Sequence, residues 1–391
     1  MLAGGGARGA YEAGALSALL PELAPEEQPR IVIGTSVGAI NAAYVAANAD
    51  ASPAELGLGA LELWRSIDYG RVLRPLLSIP EAARGLAYLR EVLGSRAART
   101  VSMLDPSPLT RTLGELIVFA RIHENVEAGH MDAAAVVATS GLTSLSVVFH
   151  DGGPAIPPDH ARGIVYSNTS LQEGHVRASA AIPLLFPAVP LRVDSERRWY
   201  FDGGTRLNTP IKPALALGAR RVIVIALNSL ASIAETRRER RPDAIDGATQ
   251  LLQAVLVDPL VNDVNTLATI NEMLHDSTEA KVRSHERRTG RRRVPYMLIA
   301  PEDPHEIGRV AAGIYRDHFE SPLATVRAPN LAALGHLLNA GRGASHGELL
   351  SYLFFSKEFI ERLIEMGRRD AYRWLQDDSH DDEHWQLGPL S

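Results

Sequence analysis

The sequence predicts an α/β fold with a mainly parallel central sheet and helical additions toward the C-terminal end. Three observations carry this. Short apolar runs of strand length recur at Ile31 to Ile33, Ala134 to Thr139, Arg221 to Leu227 and Pro295 to Ala300. Helical patterns stand between them. Two glycine-rich turns, Gly4-Gly5-Gly6 and Gly34-Thr35-Ser36-Val37-Gly38, each lead into an alanine-rich helical stretch, as happens at the carboxyl ends of parallel strands.

Composition narrows the function classes. A chain of 391 residues, 46% hydrophobic and 22% charged, is a folded globular chain with room for one large domain with additions, or for two domains. It has no cysteine, which excludes a disulfide framework and a thiolate zinc site. A net charge of -6 argues against a dedicated nucleic-acid binder. No run of about 18 apolar residues reads as a membrane-spanning helix. Met1 is followed almost at once by Gly4-Gly5-Gly6 rather than by a basic and apolar leader, so a cytoplasmic location is expected, with room for peripheral membrane contact. Leu2-Ala3 reads as the end of a strand, so a longer natural N-terminus is also expected.

The first helical pattern runs from Ala10 to Leu20 and ends at Pro21; Pro25 and Pro29 mark a loop before the Ile31 to Ile33 strand. Gly34 and Gly38 then flank Ser36 in a Gly-x-Ser-x-Gly turn. A strand that turns at once into a helix leaves no room for side chains beside the serine, so glycine is required there. The turn places the Ser36 hydroxyl at a helix N-terminus, with its free N–H groups and positive dipole end, and makes it a candidate nucleophile. Strand end, glycine loop, helix and strand form a βαβ crossover, which sets the Gly4 loop beside the Ser36 turn.

The loop itself has two readings. Gly4-x-Gly6-x-x-Gly9 matches a dinucleotide fingerprint, but Glu26 and Glu27, the acids at the right spacing, precede the second strand instead of ending it. Consecutive glycines also turn backbone N–H groups toward one point, as an oxyanion hole requires, and proximity to Ser36 favours this. Arg8 has two roles open to it: sensing developing charge, or a salt bridge that holds the loop.

Farther on, Ala51 to Thr100 reads as a helical cap or side layer broken near Pro53, Pro75 and Pro80. Ala134 to Thr139 and Leu145 to His150 read as paired strands, and Ile164 to Tyr166 as a further short one. His175 to Pro187 reads as a helix stopped by proline. Trp199-Tyr200-Phe201 is an aromatic strand that ends in Asp202, followed by Gly203 and Gly204, which permit close backbone approach. Such an acid is well placed to act as a base.

The stretch from Ser229 to Gly290 differs in character. Basic clusters at Arg237 to Arg241 and Arg287 to Arg293 flank a helical pattern from Gly247 to Leu274. Such clusters either bind anionic headgroups or are solvated loops. Helices dominate from Glu306 to Leu375, where Phe355, Phe359, Leu363 and Met366 share one face that reads as core. The acidic tail from Asp377 to Glu383 reads as disordered, and His380 and His384 do not make a metal site. The expected division is a catalytic domain at 1–230, a helical insertion with basic flanks at 231–290, a last strand and C-terminal helices packed on the core at 291–375, and a tail at 376–391.

Three pieces fit one reaction: a glycine loop for an oxyanion, Ser36 for attack on an ester carbonyl, and Asp202 to take the serine proton. A triad would place a histidine between acid and serine. His275, His285, His305, His318, His336 and His346 follow Asp202, and none sits in a convincing strand-end loop.

At these residues the chain resembles the patatin-like phospholipase family. The resemblance rests on four blocks in order: Gly4-Gly5-Gly6-Ala7-Arg8-Gly9, Gly34-Thr35-Ser36-Val37-Gly38, Ala178-Ser179-Ala180-Ala181-Ile182-Pro183 with Phe186-Pro187, and Asp202-Gly203-Gly204. It covers roughly the first 230 residues, the size of one domain. It implies a three-layer sandwich and a serine–aspartate dyad without histidine, with Ser36 as nucleophile, Asp202 as base, and Gly203 and Gly204 in support. It implies an oxyanion hole from Gly4, Gly5, Gly6 and Arg8, no cofactor or metal for the chemical step, and acyl esters of phospholipids, lysophospholipids or neutral lipids as substrates. The shortened first strand departs from the pattern and puts the positioning of Gly4 to Gly6 in question. The rival readings are a lipid-binding protein that keeps the fold without turnover, a nucleotide-binding oxidoreductase built on the glycine loop, and an esterase with a histidine triad.

Overall fold

A computed structural model gives the fold, and the described residues are 1–74, 104–229, 258–275, 292–321, 327–338 and 344–377, with 102, 243, 246–247, 249–250, 380 and 384–388. The expected helical layer beyond residue 74, the cluster at 237–241, most of the cluster at 287–293 and most of the acidic tail lie outside them.

The apolar runs form strands. β1 (Ile31–Thr35), β2 (Ala133–Ser140), β3 (Ser146–Gly152), β4 (Ile164–Asn168), β5 (Val189–Val193) and β6 (Glu196–Asp202) make one sheet in the order β4-β3-β2-β6-β5, with β1 also on β2. β7 (Val222–Ile225) and β8 (Tyr296–Ile299) pair in parallel. Of these strands β2, β7 and β8 are largely buried on both faces, while the first half of β6 is exposed. Leu2 is the seam between the two sheets, bridged in parallel to Gly34 of β1 and to Ile225 of β7. Its N–H donates to the Ile33 carbonyl at 3.0 Å, and its carbonyl accepts from Thr35 at 3.1 Å.

Around the sheet stand α1 (Gly9–Leu19), α2 (Val37–Ala47), α3 (Pro53–Arg65), α4 (Glu173–Ser179), α5 (Ile211–Ala216), α6 (Asp258–His275), α7 (Glu306–His318), α8 (Ala344–Ser351) and α9 (Lys357–Leu375). Alternation along β2 assigns the layers. Ala134, Val136 and Ala138 face the large core with α1, α2 and α3, while Ala133, Ala135 and Val137 face a second core with Ala214 of α5. Val264, Leu267 and Ala268 of α6 cover the same side of β7 and β8. The result is the three-layer arrangement.

The expected parallel character holds only in part. β1–β2, β3–β4 and β7–β8 are parallel, while β2–β3, β2–β6 and β5–β6 are antiparallel. For β2–β3 and β5–β6 short connections are the reason, because a parallel pair needs a long crossover. Only five residues join β2 to β3, and β5 turns into β6 through Asp194 and Ser195, at φ 51° and 67°. Two central residues at positive φ make the turn whose twist suits a hairpin.

At the C-terminal end, α9 lies across α1, where Gly14 and Gly367 let the backbones touch. Phe355, Phe359, Leu363 and Met366 are buried, the core face expected of them. The Tyr11 hydroxyl donates to Asp370 Oδ2 at 2.8 Å across this contact.

Candidate active site

Ser36 and Asp202 meet because β2 changes partner along one edge. β1 runs parallel to β2 and ends with Thr35 opposite Val137. β6 arrives from the other direction and ends with Asp202 opposite Ala138. Two strands thus converge end to end, and each carries its functional side chain at its last residue or the one after. The Val137 carbonyl lies at the junction. It accepts the Ser179 hydroxyl at 2.5 Å, and Ser179 Oγ in turn accepts the Ser36 N–H at 2.9 Å. Gly203 passes so close to that carbonyl that a Cβ would stand 2.2 Å from it. Ser179, at the end of α4, therefore ties the nucleophile turn to the strand switch.

The elbow is held in a rarely populated conformation. Ser36 has φ 55° and ψ -122°, a region a residue with a Cβ adopts only when its surroundings impose it. A Cβ on Gly34 would stand 2.0 Å from the Gly38 carbonyl, and one on Gly38 would stand 2.3 Å from that of Leu2. Both glycines are required by close approach. Ser36 makes no side-chain cap to α2, so its hydroxyl is left for other chemistry.

Asp202 is 4% exposed. Its Oδ1 accepts the Gly204 N–H at 2.7 Å. Burial pushes its carboxyl up to about 7, and the Ser36 hydroxyl and the Gly204 N–H act the other way. Its carbonyl accepts the hydroxyls of Thr139 at 3.0 Å and Thr205 at 2.8 Å, which fix the strand end. No histidine among the described residues hydrogen-bonds to Ser36 or Asp202. His346, one of the six weighed for a triad, faces Asp243 instead.

The glycine loop lies against the elbow, yet two of its expected donors are engaged elsewhere. Gly4 abuts Ser36, but its N–H donates to Asn208 Oδ1 at 2.9 Å. The Arg8 guanidinium, 1% exposed, points away from the serine. It donates to Ser351 Oγ at 2.8 Å, Asn228 Oδ1 at 3.0 Å and the Glu348 carbonyl at 3.0 Å, pairs with the Glu348 carboxylate, and stacks 4.0 Å over the Tyr352 ring. In this structure the Gly4 N–H and the Arg8 guanidinium thus have partners other than an oxyanion, and of the two roles weighed for Arg8 the salt bridge is the one its contacts match. The N–H groups of Gly5 and Gly6 have no acceptor among the described residues. Gly6, at φ 61°, lines the same cavity as Ser36.

That cavity is apolar. Val37, Ile40, Trp64, Ile182, Leu353 and Phe355 are among its walls. A hydroxyl, a neighbouring buried carboxyl, two free N–H groups and an apolar slot together suit attack on an ester of a greasy acid. Sequence reasoning missed Asn208 as the partner of Gly4 and gave Ser179 no role. The small-residue block around Ser179 was the only signal, and nothing local marks Asn208.

A family model described as "Patatin-like phospholipase" matches residues 1–215, more than half of the chain. The chain belongs to the patatin-like phospholipase family and has its fold. Among solved structures it is similar to VipD from Legionella pneumophila, at 15% identity and a TM-score of 0.31. That match covers 76% of this chain and 60% of the VipD chain, so the chain spans less than two thirds of VipD. No curated protein matches the sequence.

Proposed function

We propose that the protein is a lipid acyl hydrolase of the phospholipase A or lysophospholipase type, working through a Ser36–Asp202 dyad and an acyl-enzyme. The observation that carries this is Ser36 on a strained elbow, hydrogen-bonded to a buried Asp202 whose carboxyl is pushed up to about 7 by that burial. Such a carboxylate is a far better proton acceptor at neutral pH than an exposed aspartate, whose ordinary value is about 3.9.

In the first step Ser36 Oγ bonds to the ester carbonyl carbon and its proton passes to Asp202. The negative oxygen is held by the N–H groups of Gly5 and Gly6. The intermediate collapses, the alcohol leaves with the proton from Asp202, and the acyl group stays on Ser36. Water then attacks, gives its proton to Asp202, and the fatty acid departs as Ser36 recovers its hydrogen. Gly34 and Gly38 shape the elbow, and Gly203 and Gly204 hold the acid. The substrate lies at a lipid surface, so peripheral contact with one belongs to the proposal. No helix among the described residues is long and apolar enough to cross a membrane.

The test is fatty-acid release from a phospholipid panel and from p-nitrophenyl esters by wild type, Ser36→Ala and Asp202→Asn, with circular dichroism as the check on folding. Loss of release in both folded variants, and labelling of wild type at Ser36 by a fluorophosphonate, is the expected result. A folded Ser36→Ala that still releases fatty acid overturns the proposal. An Asp202→Asn that stays active while a histidine change abolishes release overturns the dyad.

A further inference from the structure

The region matched by the family model ends at residue 215, yet the walls of the site do not. The turn after α8 packs onto the glycine loop. The Tyr352 carbonyl accepts the Ala7 N–H at 2.9 Å, and the backbones pass so closely that a Cβ on Gly6 would stand 2.1 Å from that oxygen. Beneath this contact Arg8 grips Glu348, and Glu348 is held from its other side by the Gly308 N–H at 3.1 Å. The next residues turn into the cavity: Tyr352, Leu353 and Phe355 line it together with Ser36 and Gly6.

We propose that the segment from Glu348 to Phe355 is a positioning and specificity element of the active site. Glu348 acts through Arg8 and Tyr352 to hold Gly5 and Gly6 in place, and Leu353 and Phe355 close the slot that takes the acyl chain. This rests on the hydrolase reading above. The slot's walls are hydrocarbon and aromatic, so its ligand is an apolar acyl chain, and the closing side chains set how long that chain can be.

The experiment measures kcat and KM over p-nitrophenyl esters from acetate to palmitate, on the full chain. Phe355→Ala and Leu353→Ala empty the slot. They are expected to raise kcat/KM for long esters relative to acetate by about tenfold or more, the discrimination typical of added methylenes in an apolar pocket. Leu353→Phe fills it and is expected to move the preference the other way, which keeps the test intact if an alanine variant does not fold. Glu348→Gln is expected to lower kcat by about tenfold or more at every chain length with KM little changed, as when a transition-state donor is displaced. A uniform loss with an unshifted chain-length profile in the folded Leu353 and Phe355 variants overturns the specificity role. A folded Glu348→Gln with wild-type kcat overturns the positioning role. Activity retained in Ser36→Ala is a different failure, of the hydrolase reading itself.

Discussion

Arg8 and Asp202 are both buried charges within one site, and the fold treats them in opposite ways. Arg8 has acceptors on nearly every side: Ser351, Asn228, the Glu348 carbonyl and the Glu348 carboxylate, with the Tyr352 ring beneath. Asp202 has one backbone N–H and the Ser36 hydroxyl. A charge with a full set of partners is locked, and it holds shape. A charge with few is raised in energy by burial and stands ready to take a proton. The difference separates scaffold from chemistry within one site.

The comparison breaks first at the reacting pair. Ser36→Ala and Asp202→Asn are each expected to cut ester turnover by about 10⁴-fold, measured with p-nitrophenyl esters under saturating substrate. For Arg8 the expected effect is on stability. Arg8→Met leaves Glu348 buried and unpaired, which costs about 3–5 kcal/mol in urea denaturation. Adding Glu348→Leu should recover much of it, and a loss in Arg8→Met smaller than that of a surface pair would show that the cluster does not hold the loop.

Ser179 comes next. Ser179→Ala strips the Ser36 N–H and the Val137 carbonyl of their shared partner, for about 1–3 kcal/mol, with a loss of kcat as the elbow loosens. Calorimetry and turnover on the same sample check both.

The pH dependence sharpens the contrast from the side of Asp202. Turnover needs its charged form, so kcat/KM should rise through about pH 7. Stability runs the other way. In the unfolded chain Asp202 loses its proton near the ordinary aspartate value, while the folded state keeps it up to about 7, so the folded state binds more protons between the two. The stability that Asp202 contributes is therefore fully present below the lower value and is lost as pH rises to about 7, by roughly 1.4 kcal/mol for each pH unit of that window. Buried Glu12, pushed up to about 8 by burial, extends the decline in the same direction. Asp202→Asn should make the fall up to about pH 7 shallower, and Glu12→Gln both that part and the remainder up to about pH 8, in urea titrations from pH 5 to 9.

The smallest effect expected is at Arg30 and Asp132, a pair joined at 2.6 Å with each side chain 53% exposed. Asp132→Ala should cost at most about 1 kcal/mol. A larger loss would mean that burial is not what distinguishes the Arg8 cluster.

The sequence by itself determined the parts whose constraint is local. Gly34, Gly38 and Gly6 are legible because a turn at positive φ or a backbone in contact demands glycine next door. The β2, β7 and β8 runs are legible because burial on both faces demands continuous apolar residues, and Ser36 and Asp202 stand out at strand ends for the same local reasons. Tertiary structure decided the rest. Whether a sheet pair is parallel depends on the length of its connection and on where the next strand finds room, which made the sheet mixed. Gly4 gives its N–H to a residue 204 positions away, and Arg8 turns from the serine toward a carboxylate 340 positions away. A proton affinity near 7 belongs to no residue alone, since it measures the water and the partners that folding removed from around Asp202.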